Sequence, residues 1–208
     1  MKIIKPKFFI VNPKTEESIL ARLELAARLC YKSEDKIGPG TAERIVKMLI
    51  KSGHHSVLEH ESISVIITCD RGVSHELVRH RIGVAYSQES TRYANYSKKK
   101  FGSQITVIDP CFWEPDTNQY REWYEAMQNA EWSYTELLDQ GASAQEARSV
   151  LPNSLKTEIY TTMNIRAWRH VFSLRSSWIN KKSHPQMIEI MDKIRAQFMN
   201  RWPTLFGE

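Results

Sequence analysis

The order in which apolar residues change their spacing constrains this chain most. Strand-like stretches are few and short, at residues 2–11, 61–70, 104–109 and 154–164, and helical spacing fills most of the rest. In the second stretch Ile63, Val65 and Ile67 alternate with Ser62, Ser64 and Ile66, so one face is half polar. Pro6 sends the first stretch to a sheet edge. The resulting order is strand, several helices, strand, helix, helix, strand, helix, helix. It does not alternate as βαβ units do, so the expected class is α+β: a small antiparallel sheet packed with helices, in one domain over residues 1–208.

Local signals mark the helices. Thr15 caps a helix that places Ile19, Leu20, Leu23, Ala26, Ala27 and Cys30 on one side. After the turn "GPGT", a second helix buries Ile45, Met48 and Leu49 and ends at Gly53. "GVSHELVRHRIG" at 72–83 reads as a short helix. On it Glu76 and His80 share a face, while Arg79 and Arg81 point to opposite sides. Asp116 with Gln119 reads as the cap of a long amphipathic helix running from Tyr120 to Leu138 and closed by Gly141. Ser143 with Glu146 opens a short helix, and Asn164 caps the one carrying Ile165, Trp168, Val171 and Phe172. Ser183 with Gln186 caps the last helix, with Pro185 in its first turn.

No apolar run has bilayer length, and Pro6, Lys7 and Pro13 break the basic, apolar start, so it does not read as a signal peptide; the expected location is the cytoplasm. Cys30, Cys69 and Cys111 are far apart and form no CxxC, which argues against a disulfide framework or a zinc knuckle. The net charge of +5 suggests anionic partners without identifying them.

The stretch "RHRIGVAYSQESTRY", Arg79 to Tyr93, concentrates cations and hydroxyls. A solvated surface, a nucleic-acid patch and a pocket for a phosphorylated small molecule all fit such a composition. Arginine suits the third because its planar fork donates two parallel hydrogen bonds to a phosphate. Arg148, Arg166, Arg169, His170 and Arg175 add cations later in the chain. "GHHSVLEH" holds three histidines and a glutamate, but without HExxH spacing it reads as a loop facing an anion, with no metal assigned. GxSxG, Walker and GxGxxG motifs do not occur, so a dinucleotide here needs a non-Rossmann site.

"RHR" followed by "SxRY" resembles the signature of the flavin-dependent thymidylate synthases. The resemblance extends to "GHHSVLEH", "ARSVLPNSLKTE", "NIRAWRHVFSLR" and "SHPQM", in the family's order and at roughly its spacing. Two departures stand out. Eight residues, "IGVAYSQE", separate RHR from Ser90 where seven are usual, and "SSWINKK" before Ser183 is longer than usual.

The resemblance implies a homotetramer with active sites shared between subunits. It implies FAD bound by His54, Ser56, Arg79, His80, Arg81, Gln88, Asn164, Arg166 and His170. It implies dUMP held by Glu76, Leu77, Val78, Arg79, Gln88, Glu89, Ser90, Thr91, Arg92, Arg148 and Arg175. The implied reaction is reductive methylation of dUMP to dTMP, with methylenetetrahydrofolate as carbon donor, NADPH as reductant through FAD, and no covalent enzyme nucleophile. Arg175 takes the catalytic role, polarising the uracil ring. The alternatives are a related flavin-dependent pyrimidine-nucleotide methylase or hydroxymethylase, a basic nucleic-acid-binding protein, and a metal hydrolase built on the histidines.

Overall fold

The computed structural model describes residues 1–207. The helices are α1 (Glu16–Tyr31), α2 (Thr41–Lys51), α3 (Arg71–Leu77), α4 (Asn118–Asp139), α5 (Ala144–Ala147), α6 (Ile165–Arg175), α7 (Pro185–Arg201) and α8 (Pro203–Phe206). The strands are β1 (Lys2–Ile4), β2 (Lys7–Val11), β3 (Ser62–Asp70), β4 (Val84–Gln88), β5 (Thr106–Ile108) and β6 (Lys156–Asn164). The class is α+β, as expected. Four strands form one sheet in the order β2-β3-β6-β4, and β1 pairs with β5, in parallel. In the larger sheet β6 runs against both neighbours. Ile165 N donates to Glu61 O at one end of β3 and Arg71 N to Leu155 O at the other, while Asn164 N meets Gly83 O and Glu89 N meets Glu158 O beside β4. The break at Pro6 separates β1 from β2, and β2 lies at an edge of the sheet.

The chain forms two compact units. The first comprises Met1–Phe8, Ile67–Arg79 and Ser87–Tyr160; the second comprises Phe9–Ile66, His80–Tyr86 and the residues from Thr161 onward. In the first unit Tyr96, Ile105, Val107, Trp123, Met127, Tyr134 and Leu155 make a core under α4. The Trp123 indole is satisfied within it, donating to Ser154 Oγ at 3.1 Å.

The core of the second unit is aromatic. Phe198 meets Trp168, Trp202 and Phe206 with ring centroids 5.0–5.1 Å apart, edge to face or nearly so. Such geometry adds about 0.5–1.5 kcal/mol per pair beyond burial. Met187, Ile190, Met191, Ile194 and Phe198 are all buried on α7, as their spacing predicts. Ser64 Oγ and Thr162 Oγ1 lie 2.8 Å apart across β3 and β6, which accounts for the half-polar face of β3. Glu61, its side chain 1% exposed, is gripped by Lys14 Nζ at 2.7 Å and Arg22 Nε at 2.6 Å.

Four local expectations are corrected. α3 stops at Leu77, so Arg79, His80 and Arg81 lie beyond the helix and the opposite-face reading of the two arginines fails. Thr117, not Asp116, caps α4, accepting from Tyr120 N at 3.3 Å. His184, not Ser183, is the N-cap position of α7. Met48 is 47% exposed rather than core.

Candidate active site

The two ligand sets drawn from the sequence fall largely in different units. His54, Ser56, His80, Arg81, Asn164, Arg166 and His170 belong to the second unit, with Arg175; Arg79 and the residues from Gln88 to Arg92 belong to the first, with Glu76, Leu77, Val78 and Arg148.

In the second unit, α6 and its cap supply Asn164, Arg166, His170 and Arg175. Asn164 caps it, its Oδ1 accepting from Ala167 N at 2.8 Å, so the helix starts at a fixed point. Arg166, His170 and Arg175 then follow along one helix. Asn164, Arg166 and His170 line a cavity of about 650 Å³, together with His55, Ile82 and Trp178. A second cavity of about 440 Å³ is lined by His54, Ser56, Cys30 and Tyr31 and shares His55 and Arg166 with the first. Arg166 donates to Glu59 Oε1 at 2.6 Å.

Next to this wall, Arg175 Nε donates to His80 Nε2 at 3.1 Å, and the His170 ring stands edge-on to His80 at 5.9 Å. Burial, then the Arg175 cation and His170, lower the His80 pKa to about 4. The backbone of His80 is fixed in turn, its carbonyl accepting the Tyr86 hydroxyl at 3.0 Å. Gly83 lies in the turn that follows, with φ +70°; a Cβ there would stand 2.2 Å from Asn164 Nδ2, so only glycine fits.

In the first unit, the loop after β4 is held from below. Gln88 Nε2 donates to the buried Ser74 Oγ and Thr157 Oγ1 at 2.9 and 3.1 Å. Glu89 accepts from Lys156 Nζ at 2.9 Å and from the Tyr96 hydroxyl at 3.2 Å. Burial, and then Glu89, push the Tyr96 hydroxyl pKa upward. Arg92 N donates to Ser90 Oγ at 3.3 Å, Arg92 Nε to Gln145 Oε1 at 3.1 Å, and Arg148 Nη1 to Thr91 Oγ1 at 3.4 Å. Two arginines and a serine hydroxyl therefore gather on one loop and the segment after α5.

The residue reading missed part of the cavity lining. Glu59 and His55 lay in "GHHSVLEH", read as a loop facing an anion, but neither was named as a ligand; among the described residues no group of three His, Cys, Asp or Glu is placed to hold a metal. Trp178 lay in "SSWINKK", conspicuous only for its length. That segment is pinned: Ser177 N donates to Asp192 Oδ1 at 2.7 Å, and the Arg195 guanidinium sits 4.4 Å from the centre of the Trp178 ring. Arg169 donates to the Leu205 carbonyl. No helix among the described residues is long and apolar enough to cross a membrane.

The fold matches that of a UMP/dUMP methylase, PolB from Streptomyces cacaoi, solved with 5-Br dUMP. The TM-score is 0.79 over 100% of this chain and 96% of that one, at 22% identity. The protein thus shares the fold of that structure. The family model for thymidylate synthase complementing protein matches residues 14–204, and the chain belongs to that family. Its relatives include the flavin-dependent thymidylate synthase of Geobacter sulfurreducens, 37% identical over 90% of this chain and 81% of that protein. That of Mycolicibacterium gilvum is 39% identical over 76% of this chain and 67% of its own length.

Proposed function

We propose that this chain methylates dUMP reductively to dTMP, with methylenetetrahydrofolate as carbon donor and NADPH as reductant through FAD. It acts as one catalytic domain over residues 1–208, in a cytoplasmic homotetramer with shared sites. The observation that carries the reading is the gathering of Asn164, Arg166 and His170 around a cavity of about 650 Å³, with Arg175 and His80 paired in the same unit.

The cavity suits a dinucleotide. Its volume is within the roughly 300–1,000 Å³ usual for cofactor sites. Arg166 and Asn164 supply donors for phosphates, and Ile82, Ala167 and Trp178 supply apolar surface. FAD, when bound, supplies the electrons that make the transferred carbon a methyl group. The chain's own residues bind and polarise. Arg79, Ser90, Arg92 and Arg148 hold the dUMP anion. Arg175, beside N3 and O2 of the pyrimidine, favours the ionised ring and so makes C5 nucleophilic. The C5 hydrogen leaves as a proton, the one-carbon unit takes its place, and tetrahydrofolate departs. Ser90 binds substrate and forms no adduct.

The test is optical. With oxygen excluded, the purified protein should be yellow, bleach with NADPH, and regain colour only when dUMP and methylenetetrahydrofolate are both added. Colour that returns without dUMP, or a protein that binds no flavin, contradicts the reading. Arg175→Ala should keep its flavin and lose turnover; normal turnover would remove Arg175 from the role given to it.

A further inference from the structure

We propose that His80 is a positioning residue for Arg175: a neutral imidazole, its proton on Nδ1, accepts the Arg175 Nε–H at Nε2 and aims the terminal guanidinium nitrogens at the pyrimidine. The inference rests on the proposed function and gives His80 a task beyond flavin contact.

Three observations carry it. The first is donor chemistry. A guanidinium only donates, so the 3.1 Å contact from Arg175 Nε requires a lone pair on His80 Nε2 and fixes the tautomer. The second is the setting of the imidazole. Its backbone carbonyl accepts the Tyr86 hydroxyl at 3.0 Å, and the His170 ring stands against its edge at 5.9 Å and 75°. The charged and titratable groups acting on it are Arg175 and His170, both on α6, and with burial they keep it unprotonated at neutral pH. The third is the place of Arg175 as the last residue of α6, followed by the cap Ser176. A long side chain at a helix end has many rotamers, and tying Nε down removes most of that freedom before substrate arrives. Using Nε–H for the tie assigns recognition of N3 and O2 to the terminal nitrogens, the end of the fork suited to two adjacent acceptors.

The test has two arms. Ring-nitrogen NMR of the holoenzyme, with the His80 signals assigned by their loss in His80→Gln, reads the tautomer. Steady-state kinetics at saturating FAD compare His80→Ala with His80→Gln, whose side-chain carbonyl can replace Nε2 as acceptor. The expected results are a proton on Nδ1 and a kcat loss of roughly 10- to 100-fold in His80→Ala with KM for dUMP nearly unchanged. His80→Gln should recover most of the loss. A proton on Nε2 overturns the proposal, as does wild-type kcat in His80→Ala or a defect that saturating FAD abolishes. If the wild-type protein makes no dTMP, the functional reading fails, while the NMR arm still decides whether His80 holds Arg175.

Discussion

Asn164 serves two purposes that a pair of substitutions separates. Its Oδ1 accepts the Ala167 N–H at 2.8 Å and caps α6, while the residue also lines the cavity shared with Arg166 and His170. Removing a cap costs about 0.5–2 kcal/mol. The upper end applies because Ala167 is buried, 8% exposed, and its N–H cannot turn to water. For a chain of this length, about 2 kcal/mol corresponds to a fall in Tm of roughly 4–8 °C. Asn164→Ala should show that fall in a thermal melt of the flavin-free protein. Asn164→Asp keeps the acceptor and adds a charge that the helix N-terminus favours, so its Tm should stay near that of the wild type. The same variant replaces an amide donor with a carboxylate in the proposed FAD site, and its FAD affinity should fall by about tenfold or more. An Asn164→Ala protein that melts with the wild type, or an Asn164→Asp protein that binds FAD normally, would refute this division of labour.

Further predictions concern charge. Glu61 is buried between Lys14 and Arg22, which are themselves largely exposed. Lys14→Met with Arg22→Met strands the carboxylate and should cost about 3–5 kcal/mol by urea unfolding, more than Glu61→Gln, which frees two cations to rehydrate. The unfolded chain protonates His80 near its ordinary 6.5, the folded chain only near 4, so stability should fall as pH drops through that window. His80→Gln should flatten that part of the Tm–pH curve; an identical slope would deny the shift. Tyr96→Phe and Lys156→Gln each remove one support of Glu89, ahead of the Ser90–Arg92 loop. Either should raise KM for dUMP several-fold while leaving FAD affinity alone, and the reverse pattern would move that network out of the proposed substrate site.

The helices were legible where burial and capping agreed. Thr15, Ser143 and Asn164 stand at caps as their spacing suggested, and the apolar stripe of α7 is buried throughout. The reading of residues 72–83 as one helix ran past the end of α3. Ile82 is 90% exposed, so past Leu77 the helix has no face left to bury. Strand β4 was missed because Val84–Gln88 is mostly polar or small and only half-buried; its partner β6, far along the chain, makes it a strand. For the site, residue types pointed to anion binding, but the pairings that give those residues geometry did not show. His80 meets Arg175 across 95 positions and Glu59 meets Arg166 across 107, separations at which no local pattern survives.

The most direct measurement is the mass of the nucleotide recovered after incubating the protein with dUMP, methylenetetrahydrofolate, FAD and NADPH, with each omitted in turn. The account predicts dUMP heavier by one methyl group, formed only when the folate and NADPH are both present and the protein carries FAD. Unchanged dUMP in the complete mixture, or a product carrying a hydroxymethyl group, would contradict it.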